Sequence, residues 1–384
     1  MRIAERVASL PPYVFAQAGK TIAAMKARGV DVINLGIGSP DLAPPEWIVE
    51  ALHHSAQDPS KHGYAGYYGL RVLRQAVAAY YQRRFAVALD PDRETVILIG
   101  SKEGIFNIAL AFIDPGDVAL IPDPGYPTYT LGTLLAGGEP VPMPLRPEQG
   151  FTPDLGAIPQ DALRRAKLMW LNYPNNPTSA LPSMAFLAEA VAFAREHDLL
   201  LCYDNPYCDV TYDGYVAPSI LQVPGAREVT LEFNSLSKTY NMAGWRVGMA
   251  VGSAQAVEAL ARVKTNIDSG AFAAIQEAAA AALVGDQAWL AERNAIYQGR
   301  RDAVLAWLPA VGMEAEKPLS TLYVWARVPA GETSAGFAGR ILEQTGVWLT
   351  PGSAFGDHGE GYVRIALTVP EARLEEAGER LRRM

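Results

Sequence analysis

The sequence predicts an α/β fold: a mostly parallel sheet between helices, with a smaller α+β unit beside it. Two observations carry this expectation. Short, nearly continuous apolar runs alternate with longer helical patterns through the middle of the chain, as strands buried on both faces require. After one long alanine-rich helical stretch, the pattern gives way to two further strands and two helices. With 384 residues, of which 49% are hydrophobic and 19% charged, there is enough material for a large domain and a smaller partner.

The candidate strands of the sheet are Val96–Gly100, Val118–Pro122, Lys167–Asn172, Leu199–Asp204, Val229–Phe233 and Val247–Val251. Helical patterns lie between them near Glu103–Ile113, Pro127–Ala136 and Met184–His197. From about Gln276 to Leu308 one long helical stretch, interrupted at Gly285, bridges two domains. The smaller unit has strands Leu322–Arg327 and Tyr362–Leu367 and helices near Ser334–Gln344 and Pro370–Arg383. The first forty residues carry few strand signals and are expected to pack on that unit. The division expected is therefore 41–284 for the large domain, with 1–40 and 285–384 forming the small one.

Composition excludes several functions. A net charge of −8 argues against a nucleic-acid surface, which needs clustered cations. The five histidines lack metal-ligand spacing, and neighbouring His53 and His54 point different ways on a helix. Two cysteines, Cys202 and Cys208, cannot make a disulfide framework and fit a reducing compartment. The start carries Arg2, Glu5 and Arg6 instead of an apolar leader, and no uncharged apolar run reaches membrane-spanning length. The expectation is a cytoplasmic protein with neither membrane nor nucleic acid as partner.

In parallel sheets, ligand groups gather at the carboxyl ends of strands, and chemically loaded segments follow five of these strands. Asn234-Ser235-Leu236-Ser237-Lys238 is followed by Arg246 between small residues. Arg246 can grip a phosphate through its planar fork, Ser235 and Ser237 can donate to it, and Lys238 can form a Schiff base with an aldehyde. That pairing of phosphate and aldehyde is the chemistry of pyridoxal 5′-phosphate. Asp204 ends an apolar strand, where a carboxylate needs a cationic partner such as a protonated pyridine nitrogen; a turn-capping aspartate fits the sequence equally. Tyr207 and Asn176 could both donate to the ring's phenolic oxygen, although Asn176 lies in a proline-rich loop where a plain turn is the default.

Gly100-Ser101-Lys102 opens a helix whose free N–H groups suit a phosphate, with Ser101 and Lys102 contributing or Ser101 serving only as N-cap. Tyr126 could stack on the ring or belong to the core. Arg364 sits inside an apolar strand, where a cation needs an anion: a substrate α-carboxylate or a structural carboxylate. Gly36-Ile37-Gly38 lets backbone approach a ligand closely, and it is not the glycine fingerprint of nicotinamide-binding folds.

Taken together, these residues resemble the class I/II, fold-type I pyridoxal-phosphate aminotransferases over nearly the whole chain. The Asn-Pro-Thr, Asp-x-x-Tyr and Ser-x-Ser-Lys elements occur in that family's order. The resemblance implies a seven-stranded sheet, a homodimer with shared active sites, and amino acid and 2-oxo acid substrates. It places Lys238 at the Schiff base, Asp204 at the pyridine nitrogen, Tyr207 and Asn176 at the phenolic oxygen and Tyr126 against the ring. Ser101, Lys102, Ser235, Ser237 and Arg246 match the phosphate cup, Arg364 and Gly38 the α-carboxylate contacts, and Tyr64 a hydroxyl sent into the neighbouring subunit's phosphate site. Leu10-Pro11-Pro12-Tyr13-Val14-Phe15, Gly100–Gly104 and Asn266–Gly270 are similar to LL-diaminopimelate aminotransferases, which makes Tyr13 a substrate contact. Plant-type members carry an acidic residue where this chain has Tyr67. Aspartate, alanine or aromatic aminotransferases, and a C–S lyase of the same fold, remain alternatives.

Overall fold

The computed structural model describes residues 1–384; the side chain of Phe15, in the segment matched above, lies outside the described residues. Strand β1 (Ile33–Asn34) belongs to the smaller unit. The main sheet is built from β2 (Thr95–Leu98), β3 (Val118–Asp123), β4 (Glu139–Pro144), β5 (Ala166–Asn172), β6 (Leu200–Asp204), β7 (Thr230–Ser235) and β8 (Gly248–Gly252). Their order is β2-β8-β7-β6-β5-β3-β4, and only β8 runs antiparallel to its neighbours. Along β5 the period of two divides the side chains: Leu168 and Trp170 enter one core, Met169 and Leu171 the core on the opposite face. Both faces are covered, so each strand reads as an unbroken apolar run, and every residue of β2, β3, β6, β7 and β8 is buried.

β4 has no counterpart among the expected strands. It lies at the sheet edge and carries Pro140, Pro142 and Pro144, residues that argue against a central strand and are tolerated only where one side needs no ladder donors. The single bridging stretch expected over 276–308 is two helices, Ala273–Val284 and Trp289–Trp307. The Gln287 side chain turns back to donate to the carbonyls of Ala282 (3.1 Å) and Gly285 (2.7 Å), satisfying the end of the first helix. Asp286 then accepts from the Ala288 amide and opens the second.

In the smaller unit, β12 (Tyr362–Ala366) pairs antiparallel with β9 (Tyr323–Arg327) and β11 (Thr350–Pro351), while β10 (Val347–Trp348) pairs with β1. Helices Ser334–Thr345 and Glu371–Arg382 accompany these strands. Ile33, Leu35, Trp307, Val324, Ile341, Ile365 and Leu374 share one core. Ile22 and Met25 of helix Val14–Ala27 pack with Val32 and Leu342. Among the described residues, no helix is long and apolar enough to cross a membrane.

Candidate active site

The carboxyl ends of β3, β5, β6 and β7 open into a cavity of roughly 330 Å³, closed on its other side by the 37–39 loop and by β9 and β12. Lys238 enters from the short helix Leu236–Thr239 that follows β7. Its ammonium donates to the Gly38 carbonyl. Burial holds the Lys238 pKa below its ordinary value; the Tyr323 oxygen opposes this, and the Arg364 and Arg246 cations reinforce it. A lysine held this way gives up its proton more readily and becomes a better nucleophile.

Asp204 ends β6 and is 4% exposed. Tyr129 donates to its Oδ2 at 2.7 Å, while Oδ1 is buried without a protein partner. Burial raises its pKa to about 6, with the Tyr129 bond acting the other way. The backbone around it is fixed from β5: Asn172 donates from Nδ2 to the Asp204 carbonyl (2.7 Å) and accepts from the Asn176 amide (2.8 Å). Asn176 in turn accepts from Arg364 Nη1 at 2.6 Å.

Ser101, Lys102, Ser235, Ser237 and Arg246 also line the cavity. The Ser235 hydroxyl donates to Ser237 Oγ (2.9 Å) and caps the Lys238 helix through the Ser237 amide (3.2 Å). Gly100 adopts φ +74, and a Cβ there would come within 2.1 Å of the Arg246 guanidinium, so only glycine lets that cation approach the helix start. Arg246 is itself in the left-handed region (φ 57), an uncommon place for a residue other than glycine and one enriched at functional sites. Among the described residues it forms no ion pair; its Nη1 donates to the Ala243 carbonyl at 2.8 Å. Lys102 lies 4.2 Å from the centroid of the Tyr13 ring.

Arg364, 2% exposed, donates from Nη2 to the Gly36 carbonyl at 2.6 Å and lies 4.1 Å above the Tyr323 ring. Four cations (Lys102, Lys238, Arg246, Arg364) thus line a cavity that holds one carboxylate, Asp204. Such a site can take a molecule with two separate anionic groups and a cationic ring between them.

All the expected site residues line this cavity except Tyr64, which is 92% exposed and lies outside the cavity of its own chain. Three residues in or beside the site escaped the sequence reading: Tyr129, Asn172 and Tyr323. Tyr129 sits in helix Thr128–Ala136 and reads as core, which it also is, stacked on Trp170 at 4.7 Å. Asn172 begins the asparagine-rich loop and could have been found as the last residue of its strand.

Compared with known proteins, residues 30–381 match the family Aminotransferase class I and II. The chain is 56% identical to an LL-diaminopimelate aminotransferase of Moorella thermoacetica, covering 100% of this chain and 98% of the relative. It is 53% identical to one from Desulforudis audaxviator, covering 99% and 97%. Substrate-bound BacF of Bacillus subtilis superposes with a TM-score of 0.95 at 39% identity, covering 100% of this chain and 98% of that structure.

Proposed function

The chain belongs to the class I and II aminotransferases, and on that premise we propose which of its residues carry amino transfer and which substrate it takes. The family generally depends on pyridoxal 5′-phosphate, and the residues present fit that group. Asp204 Oδ1, buried and without a protein partner, suits a protonated ring nitrogen. The serine hydroxyls, the helix start after Gly100 and the Arg246 fork suit the phosphate. Lys238 is the amine for the aldehyde, and Tyr126 lies beside the space the ring would take. When bound, the cofactor supplies an electron sink for charge developing at the substrate α-carbon.

The roles of the chain's own residues follow. Asp204 stays anionic beside the ring nitrogen and keeps it protonated. Tyr207 and Asn176 direct donors toward the phenolic oxygen, and Arg364 takes the substrate α-carboxylate beside Gly38. The Lys238 Nζ, when free, would take the substrate's α-proton and give it back, base and then acid in one residue. Two such half-reactions move the amino group from an L-amino acid to a 2-oxo acid.

For the substrate, LL-diaminopimelate as donor is supported by the names of the relatives at 56% and 53% identity, which would place the enzyme in lysine biosynthesis; 2-oxoglutarate is the acceptor that goes with this reading. The exposed Tyr64 and Tyr67, with Ile267 and Phe272, support a homodimer in which Tyr64 enters the neighbouring subunit's phosphate site. Two main hydrophobic cores support a division into 41–284 and 1–40 with 285–384, with Val210 and Tyr212 crossing into the smaller one, and two buried free thiols support a reducing, cytoplasmic setting.

One observation carries the reading: the lysine, the buried carboxylate, the phosphate cup and the arginine clamp meet in one cavity. The test is reconstitution with pyridoxal 5′-phosphate and an amino-donor panel containing LL-diaminopimelate, aspartate, alanine and aromatic amino acids. The wild-type protein should gain a visible absorption band and turn over LL-diaminopimelate fastest, and Lys238→Ala should lose both. An unaltered spectrum in Lys238→Ala would refute the lysine assignment, and a preference for another donor would refute the substrate.

A further inference from the structure

Tyr323, absent from the expected site residues above, meets Tyr207, Arg364 and Gly38 from the small unit. It opens β9 opposite Ala366 of β12 and is 2% exposed. Its hydroxyl lies 3.0 Å from that of Tyr207. Its ring supports the Arg364 guanidinium, and it fills the space that a Cβ on Gly38 would need, 2.0 Å from its own hydroxyl oxygen. Gly38 is therefore a glycine because of Tyr323, and the Gly38 carbonyl is the acceptor for Lys238.

The backbone that aims this ring is strained. Thr321 has φ +74, a left-handed conformation disfavoured for a β-branched residue. Hydrogen bonds hold it there: its amide donates to the Val210 carbonyl (3.0 Å), its carbonyl accepts from Tyr212, and its hydroxyl contacts Ser179 Oγ (2.7 Å) and accepts from the Tyr323 amide (3.2 Å). Strain held in place by surrounding bonds is typical of residues whose direction matters.

The groups facing the Tyr323 hydroxyl are Tyr207, Lys238 and Arg364, and Asp204 faces Tyr207 from the other side. Burial alone would raise the Tyr323 pKa, but the two cations and the Tyr207 bond outweigh it and bring it below that of an ordinary phenol. Tyr207 moves the opposite way: burial, then Tyr323, push it well above its usual range. A phenol has a single hydrogen, so with the Tyr207 O–H given to the cavity that Tyr207 lines, Tyr323 is the donor across the 3.0 Å contact.

We propose that Tyr323 is a positioning residue for amino transfer: by donating to Tyr207 it orients and strengthens the hydrogen bond that Tyr207 gives in the cavity, and so sets the acidity of the lysine–cofactor linkage. This rests on the assignment of Lys238 and Tyr207 above. A hydrogen bond from Tyr207 to the cofactor's phenolic oxygen favours the deprotonated linkage, in which that oxygen's charge is no longer neutralised nearby. Weakening the bond raises the pKa of the linkage.

The test is a spectrophotometric pH titration of the reconstituted wild type, Tyr207→Phe, Tyr323→Phe and the double variant. Tyr323→Phe should raise the pKa of the visible band by roughly half a unit, in the same direction as Tyr207→Phe and by less, because one neutral hydrogen bond acting through another has about that reach. In the Tyr207→Phe background the Tyr323 change should add almost nothing. Phenylalanine keeps the ring beneath Arg364, so KM should stay within about twofold while kcat falls. A Tyr323→Phe titration identical to wild type, or an equal shift with and without Tyr207, would overturn the proposal while leaving the cofactor assignment standing. So would a raised KM with unchanged kcat, which would reduce Tyr323 to a support for Arg364. A wild-type protein without a pH-sensitive band that depends on Lys238 would overturn the cofactor assignment and this proposal with it.

Discussion

Replacing Asp204 by asparagine should stabilise the cofactor-free protein while disabling the enzyme. The carboxylate is fully buried, one oxygen has no protein partner, and its pKa rises from 3.8 to about 6. A carboxyl group with a raised folded-state pKa gives up stability as pH rises: its contribution is complete below about pH 4 and gone above about pH 6. Near pH 8 the ionised group therefore costs the apoprotein about 3 kcal/mol, and near pH 5 about half of that. Asparagine has no charge to desolvate, and its carbonyl oxygen can still accept the Tyr129 hydrogen bond. Urea unfolding of the apoprotein should thus show Asp204→Asn more stable than wild type near pH 8, with the gap narrowing near pH 5. Cofactor affinity should move the other way, falling about a hundredfold or more, because the buried ring cation loses its counter-ion. An apo variant no more stable than wild type near pH 8, or a gap independent of pH, would refute the account of Asp204 as a strained group kept for the ligand.

Two further substitutions test other parts of the site. Arg364→Lys keeps the charge but loses the planar fork, so KM should rise roughly tenfold or more for every donor and acceptor alike; a change confined to one substrate in steady-state kinetics would exclude Arg364 as the common carboxylate clamp. Arg293→Met removes donors to the carbonyls of Lys238 (2.6 Å), Thr239 (2.8 Å) and Asp209 (2.8 Å) and should cost about 3 kcal/mol in urea unfolding, since buried acceptors are left unmade. A loss under about 0.5 kcal/mol would mean those carbonyls find other donors.

The sheet was legible because both of its faces are covered, which leaves long apolar runs, and because the chemistry-bearing residues stand immediately after those runs. Asp204 follows Leu200–Tyr203, and Lys238 follows β7 by one short turn. β4 was invisible because its alternating prolines argue against a strand everywhere except at an edge. Tyr323 was invisible for the opposite reason: at the start of Tyr-Val-Trp-Ala it looks like any core strand residue. Its role emerges only when β12 brings Arg364 alongside and the Gly38 loop closes from the other end of the chain. Tyr64 carries a signal in its motif, yet its exposed position within one chain gives it no part in that chain's own cavity.

The helix Trp289–Trp307 shows most clearly why spacing alone falls short. Its pattern reads as part of a bridging helical stretch and gives no sign that its arginines are inside, yet Arg293, Arg300 and Arg301 are all at most 4% exposed. Arg293 pairs with no carboxylate among the described residues; its Nη atoms are spent on backbone carbonyls, two of them at the end of the Lys238 helix. Arg300 forms a forked pair with Asp41 (2.7 and 2.9 Å) and donates to the Leu367 carbonyl (3.1 Å). It thereby ties the loop after Gly38 to the end of the strand that carries Arg364. Seven residues separate the two arginines, so both lie on one face about 10 Å apart along the axis. A single rod therefore fixes the spacing between the Lys238 side and the Arg364 side of the cavity. Buried guanidinium groups are poor stabilisers compared with well-packed apolar side chains, but they accept only one arrangement of acceptors. For a cavity lined by Lys238 and Arg364 from two different units, a fixed arrangement is the more useful property.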